Sequence, residues 1–440
     1  MASALLESLL EREALAHAAR SREPEWLAAA RRVAAESLAR EGLPGPRGES
    51  WKYTNLRALE QRTPVVGDAG ALSRSIDSAI FSLPGFQGSR LVFVNGQWRE
   101  DLSHFVAEAG ISISTLAAAD PEQLEPWRVV LAQQHTDSAA AFARLNTALA
   151  TDGAILRVEA NAHVATPVHL VFIGAATERD IAWHLRALVE LGAGASLRMI
   201  EHHVGIDANG VSQIGNLFAN YALGRGAQLD LVQIQNGAAG ATLIRRSECA
   251  LAADATLTTH TLEIGAQLTR HDFDVDLAGD GARFVSRGVF ALRGRQHADT
   301  HLDVRHAARN TISDVLWRGV ADERARGVFH GAITVAAGAD GADANLSNKN
   351  LLLSPNAEID TQPVLEIYAD EVKAAHGATV GQLDEQAMFY LRTRGLPPEA
   401  ARHLLIGAFC ATALSHVEPT ELREHLAAML DSRLPRTEAS

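Results

Sequence analysis

LGAGASLRMI (191–200), LGRGAQLDLV (223–232), LAADATLTTH (251–260) and LAGDGARFVS (277–286) are four versions of one phrase. Each sets a leucine before small or turn-forming residues, and each then opens a strand-like run. The phrase returns every 26 to 32 residues. Self-similarity at that period predicts stacked units, each unable to bury its apolar face until a neighbour covers it. Strand composition narrows the class to a β-solenoid. From Thr151 to Ala375 the texture stays strand and turn, and HDFDVDLAG (271–279) alternates Phe273, Val275 and Leu277 with three aspartates, as a half-buried strand requires. One coil of a parallel β-helix takes about this many residues, and the scarcity of Asn-Gly and Asp-Gly turns disfavours an antiparallel meander.

Working outward, the flanks read as helical. Leu5, Leu9 and Leu15, then Trp26, Leu27, Ala30, Val33 and Leu38, fall at helical spacing up to the break at Gly42-Leu43-Pro44-Gly45-Pro46. LVFVNGQW (91–98) reads as a strand entering an Asn-Gly turn, and helical texture returns over 121–150. Past the repeats, Asp384 predicts an N-cap, Gly395 a stop and Pro397-Pro398 the start of a second helix, with a third in PTELREHLAAML. The division expected is 1–150 mainly helical, 151–376 parallel β-helix and 377–440 helical, with the last helices covering the exposed final coil.

Composition excludes several classes of function. A net charge of −13 on 440 residues argues against a general affinity for nucleic acid or anionic membrane. Cys249 and Cys410 are the two cysteines, too few for a disulfide framework or a self-sufficient four-thiolate centre. The acidic N-terminus does not read as a secretory signal and no run reaches the length of a membrane span, so a cytoplasmic protein is expected. GxxxxGK[ST], a strand-borne GxGxxG, HExxH and CxxC are all missing from the sequence.

The polar cluster RQHADTHLDVRH (295–306) is the strongest candidate for chemistry. On a strand, His297, Asp299, His301, Asp303 and Arg305 share one face, about 6.7 Å from one to the next, which suits either a pinched metal ion or a solvent-facing or interface-facing polar stripe. Alternation alone predicts such a face, so the polar-stripe reading is the plainer. ADEVKAAHG (369–377) puts Lys373 and His376 at the junction of solenoid and helices.

WKYTNL (51–56), EPEWL (23–27) and the block RGVFHGAITVAAGADGADANLSNKNLLLSPNAEIDTQPVLEIYADEVKAAHGATVGQLDEQAMFYLRTRGL (326–396) resemble the SufB/SufD family of iron–sulfur cluster assembly proteins, nearly end to end. The resemblance implies a right-handed parallel β-helix with helical flanks and a non-catalytic assembly subunit of SufD type. It implies a SufB-like paralogue joined at the β-helix end, and a SufC-like ATPase on the C-terminal helices, where Glu385, Phe389, Tyr390 and Arg392 are the candidate contacts. A homodimer is expected where SufB is absent. No tightly bound cofactor is implied, only iron or a transient iron–sulfur cluster shared with SufB, and His376 is the candidate ligand. Relatives often carry a cysteine two residues before that histidine; Ala374 stands there in this chain. Two rival readings follow from the residues without the resemblance: a β-helix enzyme acting on carbohydrate through the 295–306 stripe, and a structural solenoid that stacks end to end.

Overall fold

The computed structural model describes residues 3–17, 23–45, 48–66, 75–175, 177–206 and 211–435. The strands alternate between two ten-stranded sheets. One sheet runs through Asp152–Val158, Ile181–Leu191, Gln213–Leu223, Ala241–Leu251, Leu268–Leu277, His297–His306, Arg326–Val335 and Glu358–Ile367. The other runs through Val168–Gly174, Ser196–Gly205, Gln228–Asn236, Thr256–Glu263, Arg283–Leu292, Ile312–Ala321, Asp343–Leu352 and Lys373–Gly381. Neighbours along this path are parallel, so the chain climbs one coil each time it returns to a sheet.

The quoted phrase is the corner between the two sheets. Leu191, Leu223, Leu251 and Leu277 end successive strands of the first sheet and stand in one register column. A left-handed residue then makes the turn, at Gly194 (φ 68°), Gly226 (φ 66°), Asp254 (φ 60°) and Gly281 (φ 73°). That conformation favours glycine and tolerates aspartate, which is why these types recur at the corner. An alanine with no exposed surface follows in every case, Ala195, Ala227, Ala255 and Ala282, and the second sheet begins at the next residue.

Side chains that point between the sheets form one continuous core, from Leu91 and Phe93 at the start to Leu346 and Ile359 at the end. Large rings fit there because a glycine faces them on the neighbouring coil. Gly288 pairs in register with Trp317, and a Cβ on Gly288 would lie 2.3 Å from that indole. Gly215 bears the same relation to Trp183.

The solenoid begins earlier than the sequence suggests. Ser89–Val94 pairs parallel with Val168–Gly174, inside the stretch expected to be mainly helical. The short antiparallel strands Gln97–Trp98 and Ile111–Thr115 finish this end. Around it, helices Glu25–Glu41 and Ala141–Leu149 contribute to an apolar layer over Ala182, Ile214 and Ile244 on the outside of the first sheet.

The C-terminal helices sit differently from expectation. Asp384 caps Glu385–Thr393 by accepting from Gln386 N at 2.8 Å, and Pro398–Leu414 and Thr420–Asp431 follow. Ile406, Cys410, Ala413 and Leu414 pack on Ile200, Val232, Ile234, Leu262, Val289 and Val320, the outer face of the second sheet. These apolar columns need a lateral cover, and the helices provide it. The last coil is therefore left open, and its strand runs on to Gly381, past the expected boundary at 376.

Candidate functional site at the open end of the solenoid

Among the described residues, Lys373–Gly381 is paired on one side only, with Asp343–Leu352, and Glu358–Ile367 is likewise paired only with Arg326–Val335. Both strands present a row of unpaired backbone N–H and C=O groups, ready for another chain. His376 stands in register with Leu346, so it occupies a core-facing column that has no further coil to cover it. Its side chain is exposed at the mouth of the solenoid. Ala374 and Leu365 pack against the end of the core beside it. Tyr368, 64% exposed, Ile367 and Val380 leave apolar surface around the rim.

Ala374 gives this mouth no thiolate. Cys249 and Cys410 are both buried far from it in the fold, one in the solenoid core and one under the helices. Burial pushes the Cys410 thiol up to about 12 and the Cys249 thiol well above its ordinary value, so both stay protonated. Among the described residues no group of three His, Cys, Asp or Glu side chains is arranged to hold a metal ion.

The 295–306 stripe does lie on one outward face of strand His297–His306, but it is occupied from within the chain. Arg270 Nη1 donates to Asp299 Oδ2 at 2.7 Å, both side chains being almost completely buried, and Arg270 also pairs with Asp272 at 2.7 Å. Thr54 donates its hydroxyl to Asp299 and lies 2.9 Å from His297 Nε2. Asp299 also meets His301 Nε2 at 3.0 Å. Its carboxyl is accordingly held well below the usual carboxylate range; burial opposes this, but the Arg270 charge and the His301 and Thr54 hydrogen bonds outweigh it. Trp51 lies over the Arg270 guanidinium at 4.0 Å and stacks on Phe142 at 5.5 Å. WKYTNL is thus a strap, and the stripe is its seat. Asp303 and His330 lie beyond the strap, 3.7 Å apart. Sequence reasoning found the stripe but not its occupant, because nothing in the local pattern of 295–306 points to residue 54.

Glu385, Phe389, Tyr390 and Arg392 share a helix with no buried residue. Phe389 and Tyr390 are 68% and 56% exposed, and Leu404 on the next helix is 51% exposed. So much apolar surface on a short amphipathic helix marks an interaction surface.

A family model described as "SUF system FeS cluster assembly, SufBD core domain" matches residues 172–409, and one described as "SufBD protein N-terminal region" matches 12–170. This chain belongs to the SufBD family. An iron–sulfur cluster assembly SufBD family protein of Synechocystis is 32% identical over 90% of this chain and 88% of its own length. The SufD protein of Escherichia coli is 31% identical over 91% of both chains, while SufB of Bacillus subtilis is 25% identical over 61% of this one. Within the family the chain is thus close to SufD. Among the described residues no helix is long and apolar enough to cross a membrane.

Proposed function

We propose that this chain is the SufD-type subunit of a cytoplasmic SUF complex, non-catalytic itself, that pairs with a SufB-like paralogue through the open coil and binds a SufC-like ATPase through its C-terminal helices. The observation that carries the reading is the uncovered last coil, with His376 at its mouth and two free strand edges around it. A paralogue with a matching end can extend both sheets. Free edges of nine and ten residues offer roughly 4–5 backbone hydrogen bonds each, at about 1 kcal/mol net apiece. In that pairing His376 contributes one imidazole to iron or a nascent cluster as cargo, and the paralogue contributes the thiolates that Ala374 does not.

Helix Glu385–Thr393, which leads into the helices packed on the second sheet, carries the exposed Phe389 and Tyr390 surface. Nucleotide-driven closure of two ATPase subunits on such surfaces would pull on the helical regions and bias the paired end between closed and open. Anaerobic affinity purification from the native cell, with iron and sulfide assayed on the eluate, tests the assignment. Recovery of an ABC-type ATPase and a β-helix paralogue is expected; recovery of this chain alone and metal-free would overturn it.

A further inference from the structure

A groove of about 520 Å³ lies on the outer face of the first sheet, walled by Trp127 and Val130 from the short helical segment beside that face. Its floor crosses five successive strands, from Gln213–Leu223 to Arg326–Val335. At the spacing of paired strands this is roughly 19 Å, the length of about six extended residues. The floor is low because Ala222 and Ala250, both exposed, stand in register on adjacent strands. Val129, next to Val130 in the chain, is 84% exposed and adds apolar surface near the wall.

The floor carries more negative charge than the chain answers. Glu248, Asp274 and Asp303 stand in one register column on three adjacent strands, and all three line the groove. Like charges directly opposite one another on a sheet are unfavourable. One guanidinium serves two of them: Arg246 Nε donates to Glu248 Oε1 at 2.8 Å, and its Nη2 pairs with Asp274 at 2.5 Å. Asp303 has His330 at 3.7 Å, an imidazole that burial and the neighbouring His301 keep neutral at neutral pH. Burial, opposed by Arg246 and reinforced by Asp303, Asp272 and Glu248, pushes the Asp274 carboxyl up to about 7. These carboxylates can be reached from the groove, since the side chains of Asp274 and Asp303 are 35% and 48% exposed.

A cation supplied from outside relieves this column. A bare metal ion is a poor fit, because among the described residues no three such side chains are arranged to hold one, and the apolar wall offers it nothing. An ammonium or guanidinium on an apolar carrier meets both surfaces, and the length of the floor suits an extended chain. We infer that this groove is a docking site for an extended segment of a partner protein that carries a lysine or arginine between apolar residues. The basic side chain would lie over Asp274 and Asp303, with its apolar neighbours over Ala222 and Ala250 and against the Trp127 wall. The C-terminal helices cover the other sheet and the open coil lies at the end of the solenoid, so the inference stands whether or not the partner assignments above hold.

Panning a phage-displayed random peptide library on the full-length protein tests it, after depletion on Ala250→Trp protein to remove peptides that bind elsewhere. That substitution fills the floor from an exposed position and should melt like the parent. Peptides that survive depletion are synthesised and titrated by fluorescence polarisation. They should carry Lys or Arg flanked by apolar residues. Asp303→Asn and Asp274→Asn should each weaken them by about fivefold, the value of one partly exposed charge pair, without lowering the melting temperature. Absence of any surviving peptide would overturn the inference. So would survivors that lack a basic residue, or whose affinity neither substitution lowers.

Discussion

His376 is exposed at the mouth and makes no contact on which folding depends, so His376→Ala should leave the melting temperature unchanged while lowering cluster yield in the reconstituted complex. An unchanged yield would remove it from the site. Asp299 is the opposite kind of residue. Asp299→Asn would leave Arg270, 1% exposed, with Asp272 as its remaining carboxylate, and should cost about 3 kcal/mol at neutral pH, read from urea unfolding. Because the folded protein holds this carboxyl below its ordinary range, its contribution is present above the unfolded pKa of about 4 and disappears as pH falls through the depressed folded value. Buried imidazoles act at higher pH. His184 and His202 are lowered to about 3, and His260 and His306 to about 4, chiefly because burial disfavours the charged ring. The unfolded chain therefore takes up protons first, and stability, full above about pH 6.5, should fall as pH drops toward 4, each histidine adding a slope of about 1.4 kcal/mol per unit. A flat urea midpoint across that window would contradict their burial as neutral rings. The role of the 295–306 face was half legible in sequence: alternation gives a polar face, but only the fold brings Thr54 and Trp51 onto it.

At the scale of elements, the corner phrase was the most legible part of the chain. It repeats because every coil must solve the same problem, a left-handed turn followed by a buried small residue, and its spacing of 26 to 32 is the length of one coil. Strand Ser89–Val94 was read correctly as a strand, but its membership of the solenoid was hidden because the chain reaches Val168 only after a helical detour. The lateral packing of the helices was hidden too. The apolar columns that receive them, Ile200, Val232 and Leu262, look like ordinary buried strand positions in sequence. This packing changes what a truncation tests. Removing the chain beyond Val380 would strip the cover from that apolar face, so loss of ATPase binding would be confounded with aggregation. Phe389→Ser and Tyr390→Ser are cleaner, since both side chains face solvent: each should abolish capture of the ATPase with no shift in melting temperature, and retained capture would move that surface elsewhere. Within the solenoid, Gly288→Ala should cost about 1–3 kcal/mol in urea unfolding, because its methyl group would meet the Trp317 ring in a core with no slack.

On the scale of the whole molecule, the two ends of the solenoid are unlike, and that difference sets how the protein assembles. The early end finishes in the short antiparallel strands Gln97–Trp98 and Ile111–Thr115, which leave little edge to template on. The late end offers two free strands and an exposed apolar rim. A molecule with one adhesive end can close a pair but cannot propagate a filament, which disfavours an end-to-end structural solenoid. The carbohydrate-enzyme reading loses ground for a different reason: His297 and Asp299 of the stripe it needs are engaged by Thr54 and Arg270. Val380→Lys places a charge on the open coil, four residues along the strand from His376, at a side chain that is 41% exposed. Two such charges would face each other, or an apolar partner surface, across any pairing of this end. Light scattering on the purified chain should show the parent protein as a pair and the variant as a monomer of unchanged melting temperature. A parent that runs as a monomer would confine pairing to the paralogue, to be tested with both chains present, and a variant that still pairs would place the interface away from the open coil.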